Sequence, residues 1–257
     1  MPIRIDPNSV ILSNSFLMDV ALGNVVGASV INKFGANTST GTGGEMVADL
    51  GGSPIFPTTA SSISLVSAEG VDTASGTGVA TVTVIGLDEN GDIAQETIAI
   101  DGAVAATSTG SFMRVFRMFG ATLGAAAEVG ANNEGAITAT IGGSNIAQIS
   151  ACVGQTLMAW YTLPRNCTGI MLQAYSSTLR SVGGILRTDF QLFTSPSGGV
   201  RRIRSKWGLQ NDGATYMERN WPTGDKINGL TDIYLHAIPS ATADTGGGFT
   251  IVCFEAE

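Results

Sequence analysis

A single histidine, His236, stands in the alternating run Ile233-Tyr234-Leu235-His236-Ala237-Ile238. One imidazole excludes a His-rich metal site, and no nucleophile-elbow pattern accompanies it to build a Ser-His-Asp arrangement. On a strand of this pattern its expected role is packing or a surface position. Asp88 and Asp92, with the carbonyls around Asn90-Gly91, offer oxygen ligands to a hard cation such as Ca²⁺. The segment lacks the length of an EF-hand loop and its terminal bidentate Glu, so it reads as a solvated turn. Asp189 and Glu218 would be the acid and base of a glycoside hydrolase, but no spacing supports the pair. Gly41-Thr42-Gly43-Gly44 and Gly76-Thr77-Gly78 lack the Lys-Ser/Thr of a phosphate-binding loop and read as turns. The chemistry-bearing residues therefore assign no catalytic set, no metal site and no cofactor.

Two groups of side chains point to contact instead of reaction. In Val200 to Trp207, Arg202, Arg204 and Lys206 fall on one face of a strand, with Ile203 and Trp207 on the other. Their spacing is about 7 Å. Such a row could dock an acidic surface or phosphates, or it could be a solvated face that prevents edge-to-edge aggregation. Val25, Val26, Val30, Ile31 and Phe34 form an apolar cluster in a Gly- and Pro-rich segment, preceded by a smaller one at Phe16, Leu17 and Met18. Neither cluster shows a clean period. Residues 1–57 therefore read as an extended N-terminal arm that needs another surface to lie on, or as a strand pair folded onto its own chain.

The elements that must carry these groups are short and extended. The 257 residues include 34 Gly and only 13% charged residues, and amphipathic helical stretches are missing. That composition predicts an all-β chain with many turns. Gly76 to Asp101 predicts a hairpin, because Ala80, Val82 and Val84 alternate with Thr81, Thr83 and Ile85 before Asn90-Gly91, which suits a type I′ turn. With Ile63–Val66, Phe112–Phe119 and Ile137–Ile141 it makes residues 58–149 a small antiparallel β domain. Seven runs between regular breakers make residues 150–257 a β-sandwich or jelly roll. Net charge is −8, with four basic and thirteen acidic residues in the first 150. That balance argues against nucleic acid as a partner. No apolar run approaches the ~20 residues that span a bilayer, so no membrane partner is expected. Cys152, Cys167 and Cys253 form no paired motif and are expected as buried free thiols in a reducing cytoplasm.

Several segments together resemble a group of tailed-bacteriophage virion structural proteins. They are GASVINKFG at Gly27–Gly35, the hairpin GTGVATVTVIGLDENGDIAQETIAIDG, Phe112 to Arg117, QTLMAWYTLP at Gln155–Pro164, and PSGGVRRIRSKWGL. The hairpin motif is the distinctive one. Asn166 stands in YTLPRNCT where the group usually has a turn glycine. The resemblance implies a non-enzymatic protein made in a host bacterial cytoplasm and located in the virion. Its expected role is capsid decoration, or cement, with the arm binding the major capsid protein. Its other expected partner is itself, as a homotrimer or alternatively a dimer. The other reading is a tail, neck or fibre component that recognises host glycan through Trp160, Tyr161 or Trp221.

Overall fold

The computed structural model describes residues 13–179, 186–211 and 215–255. One helix, α1 (Ser13–Ala21), precedes β1 (Ala28–Thr40) and the two-residue β2 (Glu45–Met46). Seven strands follow: β3 (Ser61–Ser67), β4 (Val79–Leu87), β5 (Ile93–Ala99), β6 (Ala106–Phe112), β7 (Arg114–Leu123), β8 (Ile137–Ile141) and β9 (Ser144–Ile149). The last seven are β10 (Trp160–Thr162), β11 (Cys167–Leu179), β12 (Leu186–Pro196), β13 (Arg202–Asn211), β14 (Thr215–Ile227), β15 (Thr231–Pro239) and β16 (Ala243–Glu255).

The chain is all-β, and its larger unit is a jelly roll. One sheet runs β1-β16-β11-β14 and the other β10-β15-β12-β13, with β2 added on β15. Numbering β1 and β10 to β16 as one to eight, the orders become 1-8-3-6 and 2-7-4-5. That pattern is the double Greek key of a jelly roll. Its core is Phe249, Ile251, Met171, Phe190, Leu192, Trp207, Ile233 and Leu235, drawn from both sheets. Bulges adjust the alternation that fills it. Along β11 the buried positions are Cys167, Gly169 and Met171, then Ala174, Ser176 and Thr178. The parity changes at the bulge between Met171 and Gln173. The buried Trp207 indole is satisfied by Ser176 Oγ at 2.8 Å.

Strands β3 to β9 form a second unit, inserted between the first and second jelly-roll strands. It has one sheet ordered β6-β3-β8-β9 and another ordered β5-β4-β7. Its core holds Ile63, Leu65, Val82, Val84, Met118, Ile137 and Ile149. The same cluster includes Met46, Trp160, Phe193 and Tyr234 of the jelly roll, so one apolar interior runs across the junction.

Four expectations need correction. The segment read as an arm holds β1, which pairs with β16 from Ala28↔Phe254 to Thr40↔Ala243 and is an edge strand of the jelly roll. The sandwich therefore begins at β1 and is interrupted, and it does not start at residue 150. The Asn90-Gly91 hairpin is also not a two-residue type I′ turn. Asp88 N–H bonds Asp92 O at 2.9 Å, Gly91 N–H bonds Asp88 O at 3.1 Å, and only Gly91 has a positive φ, +80°. That is a three-residue loop, a type I turn closed by a left-handed glycine. Finally, Cys167 and Cys253 are joined as a disulfide between β11 and β16, and Cys152 is exposed.

Candidate interaction surfaces

The junction between the two units is held by a buried ion pair. β7 enters its sheet with Arg114, followed by the apolar Val115, Phe116 and Met118. Arg114 donates to Asp232 of β15 as a fork, Nε to Oδ1 at 2.8 Å and Nη2 to Oδ2 at 3.1 Å. Both side chains are about 5% exposed or less. Thr162 of β10 donates to Oδ1 at 2.6 Å, Arg114 Nη1 donates to the carbonyls of Pro57 and Met113, and the Phe56 ring lies 5.3 Å from the guanidinium carbon. A bidentate pair supported by further hydrogen bonds to both partners is the arrangement in which a buried pair is tolerated. It fixes the inserted unit against β10 and β15.

The apolar residues singled out in the first segment separate on folding. Val25 is buried, and Ile31 is half-buried against the jelly-roll core. Val26 is 81% exposed, Phe34 is 43% exposed, and Val30 is half-buried. Leu17, Met18 and Leu22, on and just after α1, are exposed as well. Glu255 N–H bonds Gly27 O at 2.7 Å, so odd-numbered residues of β1 bond β16 and even-numbered ones point their backbone groups away from it. Ala36 N–H reaches Leu157 O at 3.4 Å. Among the described residues the backbone groups of Val30, Asn32 and Phe34 have no partner. An open strand edge therefore runs beside exposed apolar side chains.

The basic row is not one uniform face. A bulge at Leu192/Phe193 opposite Ser205 and Ile203 leaves Arg204 as the extra residue of β13. Arg204 pairs with Asp225 at 3.4 Å and Lys206 with Asp189 at 3.2 Å. Arg202 is exposed at the start of the strand. Arg201, outside the row, lies 4.6 Å over the Phe193 ring and donates to the Tyr234 hydroxyl at 3.1 Å. An acidic partner would have to displace the carboxylates already paired with two of the three residues.

The remaining candidates are spent locally. Asp88 accepts the N–H groups of Asn90 and Asp92 at 2.8 and 2.9 Å, so its carboxylate caps its own turn. Asp189, on β12, is held by Arg187 of its own strand and Lys206 of β13, whereas Glu218 lies on β14 in the other sheet. His236 packs edge-on to Phe193 at 5.9 Å, and burial, with Arg201 nearby, pulls its pKa down. Trp160 and Tyr161 are buried, and Trp221 is half-buried against the core. Among the described residues no three His, Cys, Asp or Glu side chains gather as a metal would need, and no helix is long and apolar enough to cross a membrane.

One cleft, of about 290 Å³, lies between β1 and the sheet of β4, β5 and β7, and is lined by Lys33, Arg117, Ile85, Phe116, Gln155 and Tyr161 among others. The Lys33 ammonium donates to Phe116 O. Burial, aided by Arg117, lowers the Lys33 pKa to about 7, and burial raises that of Tyr161 to about 12. Neither this cleft nor the Arg114–Asp232 pair was assigned from the sequence. The usable signals were one arginine at the head of an apolar run and two of the few cations in an acidic half.

The class these observations define is a jelly roll carrying an inserted β unit, with an open first strand. No protein-family model matches the chain, and no curated protein matches it in sequence. Among solved structures it is similar to infectious bursal disease virus, Gt strain, with 11% identity, 89% of this chain and 72% of that chain covered, and a TM-score of 0.25. It is also similar to the VP2 subviral particle of infectious bursal disease virus, with 11% identity, 89% and 76% covered, and a TM-score of 0.21. T=1 particles derived from infectious bursal virus give 10% identity, 89% and 74% covered, and a TM-score of 0.22. Superpositions this loose carry no argument, and the topology stands on its own strand order.

Proposed function

We propose that the chain is a virion structural protein of a bacteriophage, a capsid decoration protein that binds the major capsid shell and copies of itself without catalysis. The observation that carries this reading is the open edge of β1 beside exposed Val26, Phe34, Leu22 and Met18. An unpaired edge is a template for another chain. Jelly rolls recur in capsid proteins and also in lectins, so topology alone does not choose between them. The sequence resemblance supports a virion structural role, which both capsid and tail components fill. Burial of Trp160 and Tyr161 removes two of the three residues through which a tail or fibre module was expected to hold glycan.

The test is binding to empty shells, followed by sedimentation and by imaging of decorated particles. Saturable binding at hundreds of copies per particle, with a homotrimer in solution, is the expected outcome. Asn32→Pro is the informative variant. Its N–H points away from β16, so proline removes no bond inside the chain yet blocks strand addition at the edge. It is expected to fold and to lose shell binding. A protein that stays monomeric and never binds shells would overturn the proposal. Recovery at only a few copies per particle would move it to the tail.

A further inference from the structure

Of the four basic residues among the first 150, Arg4 lies outside the described residues and Arg114 is spent on Asp232. The other two, Lys33 and Arg117, share one cleft, although thirteen acidic residues occupy the same stretch of chain. Among the described residues neither forms an ion pair with a carboxylate. Asp92 and Glu255 line the neighbouring cleft, which shares only Ile93 and Tyr161 with this one.

Several N–H donors in the cleft have no acceptor among the described residues. An ammonium carries three N–H groups, and Phe116 O takes one from Lys33. Arg117 gives one bond, Nη2 to Gln155 Oε1 at 3.2 Å, and its guanidinium carbon lies 5.5 Å from the Phe119 ring. Asn32 and Phe34, whose backbone N–H groups have no partner among the described residues, line the same cleft. The Lys33 ammonium is buried beside the exposed Arg117, so two like charges face one cleft, and an anion between them lowers the energy of the site. Burial first, and Arg117 second, lower the Lys33 pKa to about 7, and an anion bound beside the ammonium would raise it again.

We propose that this cleft is an oxyanion site, in which Lys33 and Arg117 together bind a carboxylate or phosphate group. Guanidinium matches the planar edge of either group, and the ammonium supplies the second point of charge. The oxyanion comes from an acidic side chain of a second copy of the chain or from a free small anion. The site does not depend on the decoration role, and the first arm below tests it alone.

In the first arm, inorganic phosphate is titrated into the purified full chain at constant ionic strength, with chloride as the balancing salt, and the thermal midpoint is followed. A midpoint that climbs with phosphate concentration is expected, since a ligand of the folded state stabilises it by mass action. Lys33→Met keeps the packing of the stem, and Arg117→Gln replaces an exposed side chain. Each is expected to weaken the response roughly 10- to 100-fold in apparent affinity, the loss of one charge-assisted hydrogen bond. No rise beyond chloride in the wild type together with no dissociation of oligomers in the second arm, or an equal rise in both variants, overturns the proposal. The second arm is sedimentation in phosphate against chloride. Dissociation of oligomers by phosphate, mimicked by Lys33→Met, assigns the oxyanion to a second copy. Unchanged oligomers with an intact phosphate response assign it to a free anion.

Discussion

Asp49 shows how one side chain sets a pH dependence. It follows β2 and reaches across to Ser150, whose N–H and hydroxyl it accepts at 3.2 and 3.4 Å through Oδ2, while Oδ1 is buried without a partner. Burial pushes its pKa up to about 6 from 3.8, against the pull of those hydrogen bonds. The folded chain therefore holds this proton more tightly than the unfolded chain. Stability contributed by the protonated form is full below about pH 4 and is lost as pH rises through about 6. Asp49→Asn can keep the Ser150 bonds and removes the charge. It is expected to stabilise the protein by up to about 2 kcal/mol at pH 8, discounted for partial exposure, and by nothing at pH 4. Urea titrations at the two pH values check this. Such residues are poorly legible in sequence, because Asp49 acquires its environment from a residue 101 positions away. His236 was easier to read, since a lone imidazole in an alternating strand has few roles open to it.

Strands were legible where both partners are local. Ile137–Ile141 has the bounds read from its alternation, and its neighbour β9 follows after a two-glycine turn. β6 was missed because ATSTGSF carries little apolar signal. β1 was misread as an arm because its partner, β16, stands at the far end of the chain and itself carries three consecutive glycines at 246–248. Gly35 explains part of its composition. A Cβ there would lie 2.1 Å from Val47 O and 2.3 Å from Ala159 N, so β1 crosses the neighbouring backbone where only glycine fits. Gly35→Ala is expected to cost about 1–3 kcal/mol by overpacking, read as a lowered denaturation midpoint. The junction makes a second forecast at this scale. Arg114→Met leaves Asp232 buried without its partner, and is expected to cost about 3–5 kcal/mol. Arg114→Met with Asp232→Leu should recover part of that loss, and a double-mutant cycle in urea measures how much.

Taken whole, the molecule is two β units whose two apolar clusters each cross the junction, and the sequence boundary at residue 150 followed a change of composition that folding does not respect. All three tryptophans lie in the jelly roll, at 160, 207 and 221, yet Trp160 packs among residues of the inserted unit. Unfolding followed by tryptophan fluorescence and by the amides of β3 to β9 is therefore expected to give one coincident transition. Replacing residues 61–149 with a short linker should bare Trp160, Phe193 and Tyr234, seen as a red-shifted emission and binding of a hydrophobic dye. The placement of β16 between β1 and β11 also sets an order of events during synthesis. The strands of the inserted unit are consecutive and can pair while the ribosome is still working on the rest. β1, made earlier, stays without its mate until residues 243–255 emerge. A nascent chain stalled just short of them would display a finished insert on an unclosed sandwich, which is the species a chaperone or a protease would meet first.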